Sequence, residues 1–168
     1  IPAGHWTQDH QRGGGRIIGE ACHFIDLLMH IVGQPIMSVF AMKVGSSADQ
    51  VMEDKMSIQL MFVDGSIGTI HYFANGSKDL AKERLEVFSD GRVLQLDNFK
   101  RLTGFGFKSF KKMSLLHQDK GHSNEMKSFV RSIEEGTASL IPFEDLKNVT
   151  LASFATMESA EQQKLVII

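Results

Sequence analysis

Three ionisable residues stand three apart in one short run, Glu20-x-x-His23-x-x-Asp26. On a helix this spacing puts both carboxylates within reach of the imidazole. A carboxylate neighbour fixes the tautomer of an imidazole and raises its basicity. Such a histidine suits proton transfer near neutral pH. The alternative is a buried neutral imidazole with a single hydrogen bond. The same run invites a metal. Glu20-x-x-His23 is half of the paired E-x-x-H motif of carboxylate-bridged di-metal bundles, which also need two further Glu-bearing helices. The sequence has no second copy. Facing His23, Asp26 and His30 toward one ion from a single helix is geometrically awkward, so no metal site is expected.

The element that must position these residues is a helix over 16–32. Its apolar residues run almost all round, from Ile17, Ile18, Ala21 and Cys22 to Ile31 and Val32. That pattern predicts deep burial. Gly33 suits the residue after the helix, and Pro35 blocks its continuation. At about 100° per residue, Arg16, Gly19, His23, Asp26 and His30 share one narrow stripe, with Glu20 beside it. A polar stripe on a buried helix should face a cleft or a partner, because buried polar groups need hydrogen bonds. His5 is expected on the same side.

Gly13, Gly14 and Gly15 precede the helix. They resemble a nucleotide-binding loop but miss the G-x-G-x-x-G spacing, because the later glycine, Gly19, falls one position late. No apolar strand precedes the run, and no acidic residue follows at the required distance. No G-x-x-x-x-G-K-[ST] loop occurs either. The chain is therefore not expected to hold a dinucleotide cofactor.

Beyond the helix, residues 36–103 read as a mainly antiparallel sheet of five to seven strands. Asp64-Gly65 and Asp90-Gly91 each separate two strand-like runs, a strong hairpin signal. Asn75-Gly76 offers a third turn. Val39–Val44 and Phe99–Leu102 read as flanking strands. Residues 104–120, with Phe105, Phe107 and Phe110, fit either a loop or one more strand. Two helices are expected to close the chain. One spans Ser123 to Glu135 with Ser123 as its N-cap, Met126, Phe129, Val130 and Ile133 on one face, and Gly136 as its stop. The other spans Phe143 to Lys164, with Leu146, Val149, Thr150, Phe154, Met157 and Ala160 as its apolar stripe. The fold class is thus α+β.

Composition sets the outer limits. The chain has 168 residues, 42% hydrophobic and 23% charged, with a formal net charge of -2. This is ordinary globular composition without the positive field that draws a protein to nucleic acid or an anionic membrane. Lys108, Lys111 and Lys112 form the only basic cluster and read as a solvated loop. The single cysteine, Cys22, sits in an apolar run and reads as an inert thiol; the absence of an intrachain disulfide fits a reducing cytoplasm. No stretch approaches the roughly 20 apolar residues of a membrane span. The first residues lack a basic region followed by an apolar core, and the chain reads as one that begins in mid-protein.

The run Gly13-Gly-Gly-Arg-Ile-Ile-Gly-Glu-Ala-Cys-His-Phe-Ile-Asp-Leu-Leu28 resembles the start of the C-terminal domain of the Gfo/Idh/MocA oxidoreductases. The hairpin from Glu53 to Thr69, Gly121-His122 before a helix, and Pro142-Phe143-Glu144-Asp145 before the last helix are similar to the same family in order and spacing. The resemblance covers essentially the whole chain. It implies that residues 1–168 form a single substrate-binding and oligomerisation domain: an open, mostly antiparallel sheet with helices on one face, the C-terminal half of a longer enzyme. NAD or NADP would be bound mainly by a Rossmann domain carrying an E-K-P lysine, neither of which occurs here. The implied substrate is a sugar, sugar nucleotide or polyol, and the implied assembly a homo-oligomer, such as a dimer, formed through the sheet. His23 matches the family's catalytic histidine, which exchanges a proton with the substrate hydroxyl. Asp26 matches a position that binds substrate hydroxyls, and His5 a substrate-contacting histidine. Many members carry Asp four residues before the histidine. Here that position is Gly19, with Glu20 beside it, so either Glu20 replaces the Asp or the proton relay differs. The competing expectation is a family-like domain without chemistry, serving as a ligand-binding or oligomerisation module.

Overall fold

The computed structural model describes residues 4–9, 11–45 and 54–168. Along the chain come a 3-10 turn at Trp6–Gln8, a π-helical turn at Ile17–Ala21, and helix α1 (Cys22–Val32). Strands β1 (Ile36–Lys43), β2 (Lys55–Phe62), β3 (Ile67–Phe73), β4 (Arg84–Ser89), β5 (Arg92–Asp97), β6 (Arg101–Phe105) and β7 (Lys112–Ser114) follow. Helices α2 (His122–Glu135) and α3 (Phe143–Gln162) and strand β8 (Val166–Ile167) end it. The α+β reading holds: two antiparallel sheets are combined with three helices. Among the described residues, no helix is long and apolar enough to cross a membrane.

The strands form two sheets rather than one, in two compact units. The first unit comprises residues 1–75 and 141–168. Its sheet has the order β3-β2-β1-β8. The Asp64-Gly65 hairpin joins β2 and β3 as expected, with Ile58 opposite Ile70. Alternation along β2 sends Met56, Ile58, Leu60 and Phe62 into the core and leaves Gln59 and Met61 exposed, the pattern of a sheet buried on one side.

Helix α1 and the π-helical turn press one stripe onto this core, made of Ile17, Ala21, Ile25 and Met29 at four-residue spacing. Burial is confined to that stripe; Ile31 is exposed and Leu27 and Leu28 are half-buried. The all-round apolar pattern overstated the burial. Gly68 on β3 allows the close approach of α1, since a Cβ there would lie 2.8 Å from Leu28 Cδ1.

Helix α3 packs against β1 through a face that matches the expected one only in part, at Val149, Met157 and Ala160. Val149, Ala152, Ser153, Ala155, Thr156, Ser159 and Ala160 are buried, while Leu146 and Phe154 are exposed. Small residues let the helix backbone come close to the strand, and their hydroxyls are satisfied locally. Ser153 donates to the Val149 carbonyl at 2.9 Å and Thr156 to the Ala152 carbonyl at 2.8 Å. Ser159 Oγ accepts the Ala41 N–H at 2.9 Å and donates to the Lys164 carbonyl. Asn148 bonds both the N–H and the carbonyl of Ile36.

The second unit comprises residues 76–140, with a sheet of order β4-β5-β6-β7. Asp90-Gly91 turns β4 into β5 with both residues at positive φ, 53° and 69°, as a two-residue hairpin demands. Phe99 lies in the turn before β6 at φ 49° rather than in a strand. Residues 112–114 supply the extra strand that the 104–120 segment left open. Helix α2 is capped by Gly121, not Ser123, and ends at Gly136 at φ 61°. Its Met126, Phe129, Val130 and Ile133 are exposed.

Candidate active site

The glycine run sets where the helix begins. Gly14 and Gly15 adopt positive φ, 70° and 80°, where side chains with a Cβ are strained. Gly13 packs directly on the preceding 3-10 turn: a Cβ there would meet Trp6 O at 2.6 Å and Thr7 Cα at 2.8 Å. The run therefore serves contact between chain segments. With a 3-10 turn rather than a strand before it, it does not build the strand-to-helix cradle a dinucleotide pyrophosphate needs. These residues do not fit a nicotinamide cofactor.

The chain then enters the π-helical turn, in which the N–H of Cys22 bonds the Ile17 carbonyl five residues back. Such turns are rare and are frequently found at functional sites. Glu20 lies within it, and His23 and Asp26 follow in the first turns of α1. Glu20, His23, Asp26 and His30 are all exposed, so the polar stripe faces outward from a helix whose other side is core. Among the described residues, neither carboxylate hydrogen-bonds the His23 imidazole.

Gly19 is also exposed, and a Cβ there would meet only Gly13 O, at 3.5 Å. That is ordinary contact, so packing does not require glycine at this position. His5 caps the 3-10 turn, its Nδ1 lying 2.9 Å from Thr7 Oγ1, and its ring lies against Trp6. Among the described residues, no hydrogen bond ties His5 to α1. Burial pushes the Cys22 thiol up, against the opposing effect of the His23 N–H, consistent with an inert thiol.

Arg16, expected on the exposed stripe, instead turns inward into a buried polar cluster that sequence reasoning missed. Asp54, at the start of β2, is 7% exposed, Lys55 11% and Arg16 14%. Lys55 Nζ lies 3.2 Å from Asp54 Oδ1. Gln8 Nε2 donates to Asp54 Oδ2 at 3.1 Å, which ties the 3-10 turn to the sheet. Arg16 Nη1 stands 4.0 Å from the same oxygen, and its guanidinium lies over the Tyr72 ring at 5.5 Å. Burial pushes the Tyr72 hydroxyl up to about 12, against the lowering effect of Arg16. The hydroxyl therefore stays protonated, with Glu20, Asp54 and Cys22 close enough to add to the rise. One signal was legible: Asp54-Lys55 are charged residues at the mouth of an otherwise apolar strand. Glu53, which begins that run, lies outside the described residues. Among those described, no three His, Cys, Asp or Glu side chains converge as a metal site requires.

Comparison with known proteins supplies the remaining findings. The family model of the GFO/IDH/MocA C-terminal domain matches residues 2–94. No curated protein matches the sequence. Among solved structures, a levoglucosan dehydrogenase in complex with NADH and levoglucosan aligns at a TM-score of 0.79 and 19% identity, over 99% of this chain and 54% of that one. The aldose-aldose oxidoreductase from Caulobacter crescentus, complexed with glycerol, aligns at 0.79 and 15% identity, over 100% and 52%. An oxidoreductase domain protein from Kribbella flavida aligns at 0.77 and 19% identity, over 98% and 54%. The likeness at these identities is one of fold, and the chain spans about half the length of the structures it matches.

Proposed function

The chain belongs to the GFO/IDH/MocA family through its C-terminal domain, and from that premise we propose that it is the substrate-binding half of an NAD(P)-dependent oxidoreductase acting on a sugar, sugar nucleotide or polyol hydroxyl. The reading is carried by His23. It is exposed directly after a π-helical turn, on the open side of a helix otherwise anchored in the core, with Glu20 and Asp26 on the same open side. An accessible imidazole is what proton exchange with a substrate hydroxyl requires. Asp26, Glu20 and His5 supply hydrogen-bonding groups for further hydroxyls. The solved structures of like fold that hold NADH with levoglucosan, or glycerol, support the substrate class. NAD or NADP is bound mainly by a Rossmann domain outside these 168 residues, in keeping with the misfit of the glycine run.

A second reading rests on Gly19. Without the Asp, and without a hydrogen bond to His23, the domain becomes a binding or oligomerisation module that has lost its chemistry. A screen of the full protein for NAD- and NADP-linked oxidation of neutral aldoses, polyols and sugar nucleotides separates the two. Turnover with any of them that depends on His23 supports the enzyme; sugar binding without turnover supports the module.

A further inference from the structure

The buried carboxylate of Asp54 meets the chain on both sides of the glycine run. Its Oδ2 accepts the Gln8 amide at 3.1 Å, and Arg16 Nη1 stands 4.0 Å from the same oxygen. Gln8 closes the 3-10 turn before the run, and Arg16 follows the run directly. The backbone of Asp54 is itself fixed, since its carbonyl accepts the Ala74 N–H at 3.1 Å, just past the end of β3. The run between the two flanks has little to hold it in one path. Gly14 and Gly15 sit at positive φ, and glycine loses more conformational freedom on folding than any other residue.

Arg16 and Asp54 are each other's unmet partners. Arg16 Nε and Asp54 Oδ1 are both buried without a hydrogen bond among the described residues, with the Lys55 ammonium at ion-pair distance from Oδ1. Charges removed from water attract with little screening, so the carboxylate holds the guanidinium across 4.0 Å without a direct bond. The Tyr72 ring supports the guanidinium from β3 and lies 6.2 Å from the Phe24 ring of α1. Arg16 in turn caps the π-helical turn. That rare geometry is held at both ends here, by Ile17 and Ala21 in the core and by Arg16 on Asp54. Rewinding the turn as α-helix changes it by one residue, about 100°, and would swing Glu20 relative to His23.

We propose that Asp54 is a positioning residue for the proton-transfer site, a role that rests on the oxidoreductase reading of His23. It clamps both flanks of the glycine run and so holds the π-helical turn that places Glu20 relative to His23.

Two readouts on the full protein test the clamp. Asp54→Asn keeps the size of the side chain and removes its charge. Amide hydrogen exchange across residues 11–23 should then speed up by about tenfold or more, while β1 and α3 keep their wild-type protection. The second readout is steady-state oxidation of whichever screened sugar turns over, with levoglucosan as the first probe. Asp54→Asn should lower kcat about 10- to 100-fold, the cost of misplacing reacting groups by about 1 Å, with KM changed less than about threefold. Asp54→Glu, which restores the carboxylate, should recover part of the loss. Gln8→Ala should lower kcat less, and should add little to Asp54→Asn, because the two act through one side chain. Faster exchange spread evenly over the first unit would make Asp54 a residue of general stability and overturn the proposal, whatever the rate. Should Asp54→Asn not fold, Gln8→Ala, which leaves the charges in place, decides by the same two readouts. Locally faster exchange in a protein that turns over none of the aldoses, polyols and sugar nucleotides screened would remove the oxidoreductase reading and keep the clamp. Turnover that a folded Asp54→Asn protein retains in full would do the reverse.

Discussion

At the scale of single residues, the chemistry and the packing separate cleanly around His23. The ring is exposed while Ala21 and Ile25, two positions to either side, are fully buried. Truncating the ring therefore leaves the core intact. In the full protein, His23→Ala should lower turnover about 10²- to 10⁴-fold, the usual worth of general acid–base catalysis. Urea denaturation should show stability changed by less than about 0.5 kcal/mol. An unchanged rate would assign the proton transfer elsewhere. The stripe itself was legible because helical spacing is fixed; the cluster behind it was not, because Gln8, Arg16, Asp54 and Tyr72 meet only after the sheet and helix pack. Tyr72 offers an independent check, being the only tyrosine of the chain. Its hydroxyl is pushed up to about 12 in the folded state, against about 10 when unfolded. Between those values the unfolded chain has lost more protons than the folded one, so stability falls as pH rises from about 10 to about 12. Absorbance at 295 nm should titrate near 12 in the folded chain and near 10 in denaturant. A folded-state midpoint near 10 would place the hydroxyl in open solvent.

Element by element, turns were more legible than faces. Asp64-Gly65 and Asp90-Gly91 both make hairpins, because positive-φ residues at a turn are a local requirement. The buried face of α3 is a tertiary choice. Leu146 and Phe154 are the larger apolar residues, yet Ala152, Ser153 and Thr156 face β1 because the helix lies too close to the strand for bulk. Serine and threonine are compatible with that face only because each hydroxyl returns a bond to the backbone. Ser159 differs in bonding the strand as well as its own chain end. Replacing it with alanine leaves the Ala41 N–H buried without an acceptor, a loss of about 1–3 kcal/mol. Chemical denaturation should show that loss with an unchanged m-value. Ser153→Ala, which removes only a bond within the helix, should cost less. Similar costs for the two would mean that the helix–strand bond is replaced by water.

For the whole molecule, two features bear on the proposed function: the sheet surface that the strand pattern leaves uncovered and the glycine run that fails to cradle a cofactor. Asn75-Gly76 reads as one more turn in a continuous sheet, yet β3 and β4 do not pair there and two sheets result. Turn chemistry is local, whereas strand partnership is decided by distant contacts. In the first unit Met37, Met61, Ile67 and Phe73 are exposed on strands whose alternate residues are buried. Apolar residues concentrated on one sheet are unfavourable in water, so self-association through this sheet is expected. Light scattering at a chain mass of 18.7 kDa should give at least twice that value; a constant single mass at high concentration would oppose it. The sharper test concerns what the 168 residues do alone. The first unit has its own core, closed by α1 and α3, so the chain should fold. Nicotinamide cofactor binding should nonetheless fail. Pyrophosphate recognition needs free N–H groups at a helix N-terminus that backbone or ligand can approach closely. Here the approach at Gly13 is already taken by Trp6 and Thr7, 2.6 and 2.8 Å from where a Cβ would stand. Calorimetric titration of the purified chain with NADH and NADPH should show no saturable binding below about 1 mM, a Kd corresponding to only about 4 kcal/mol. Micromolar binding of either would place the cofactor on this half and undo the division of labour on which the proposed function rests.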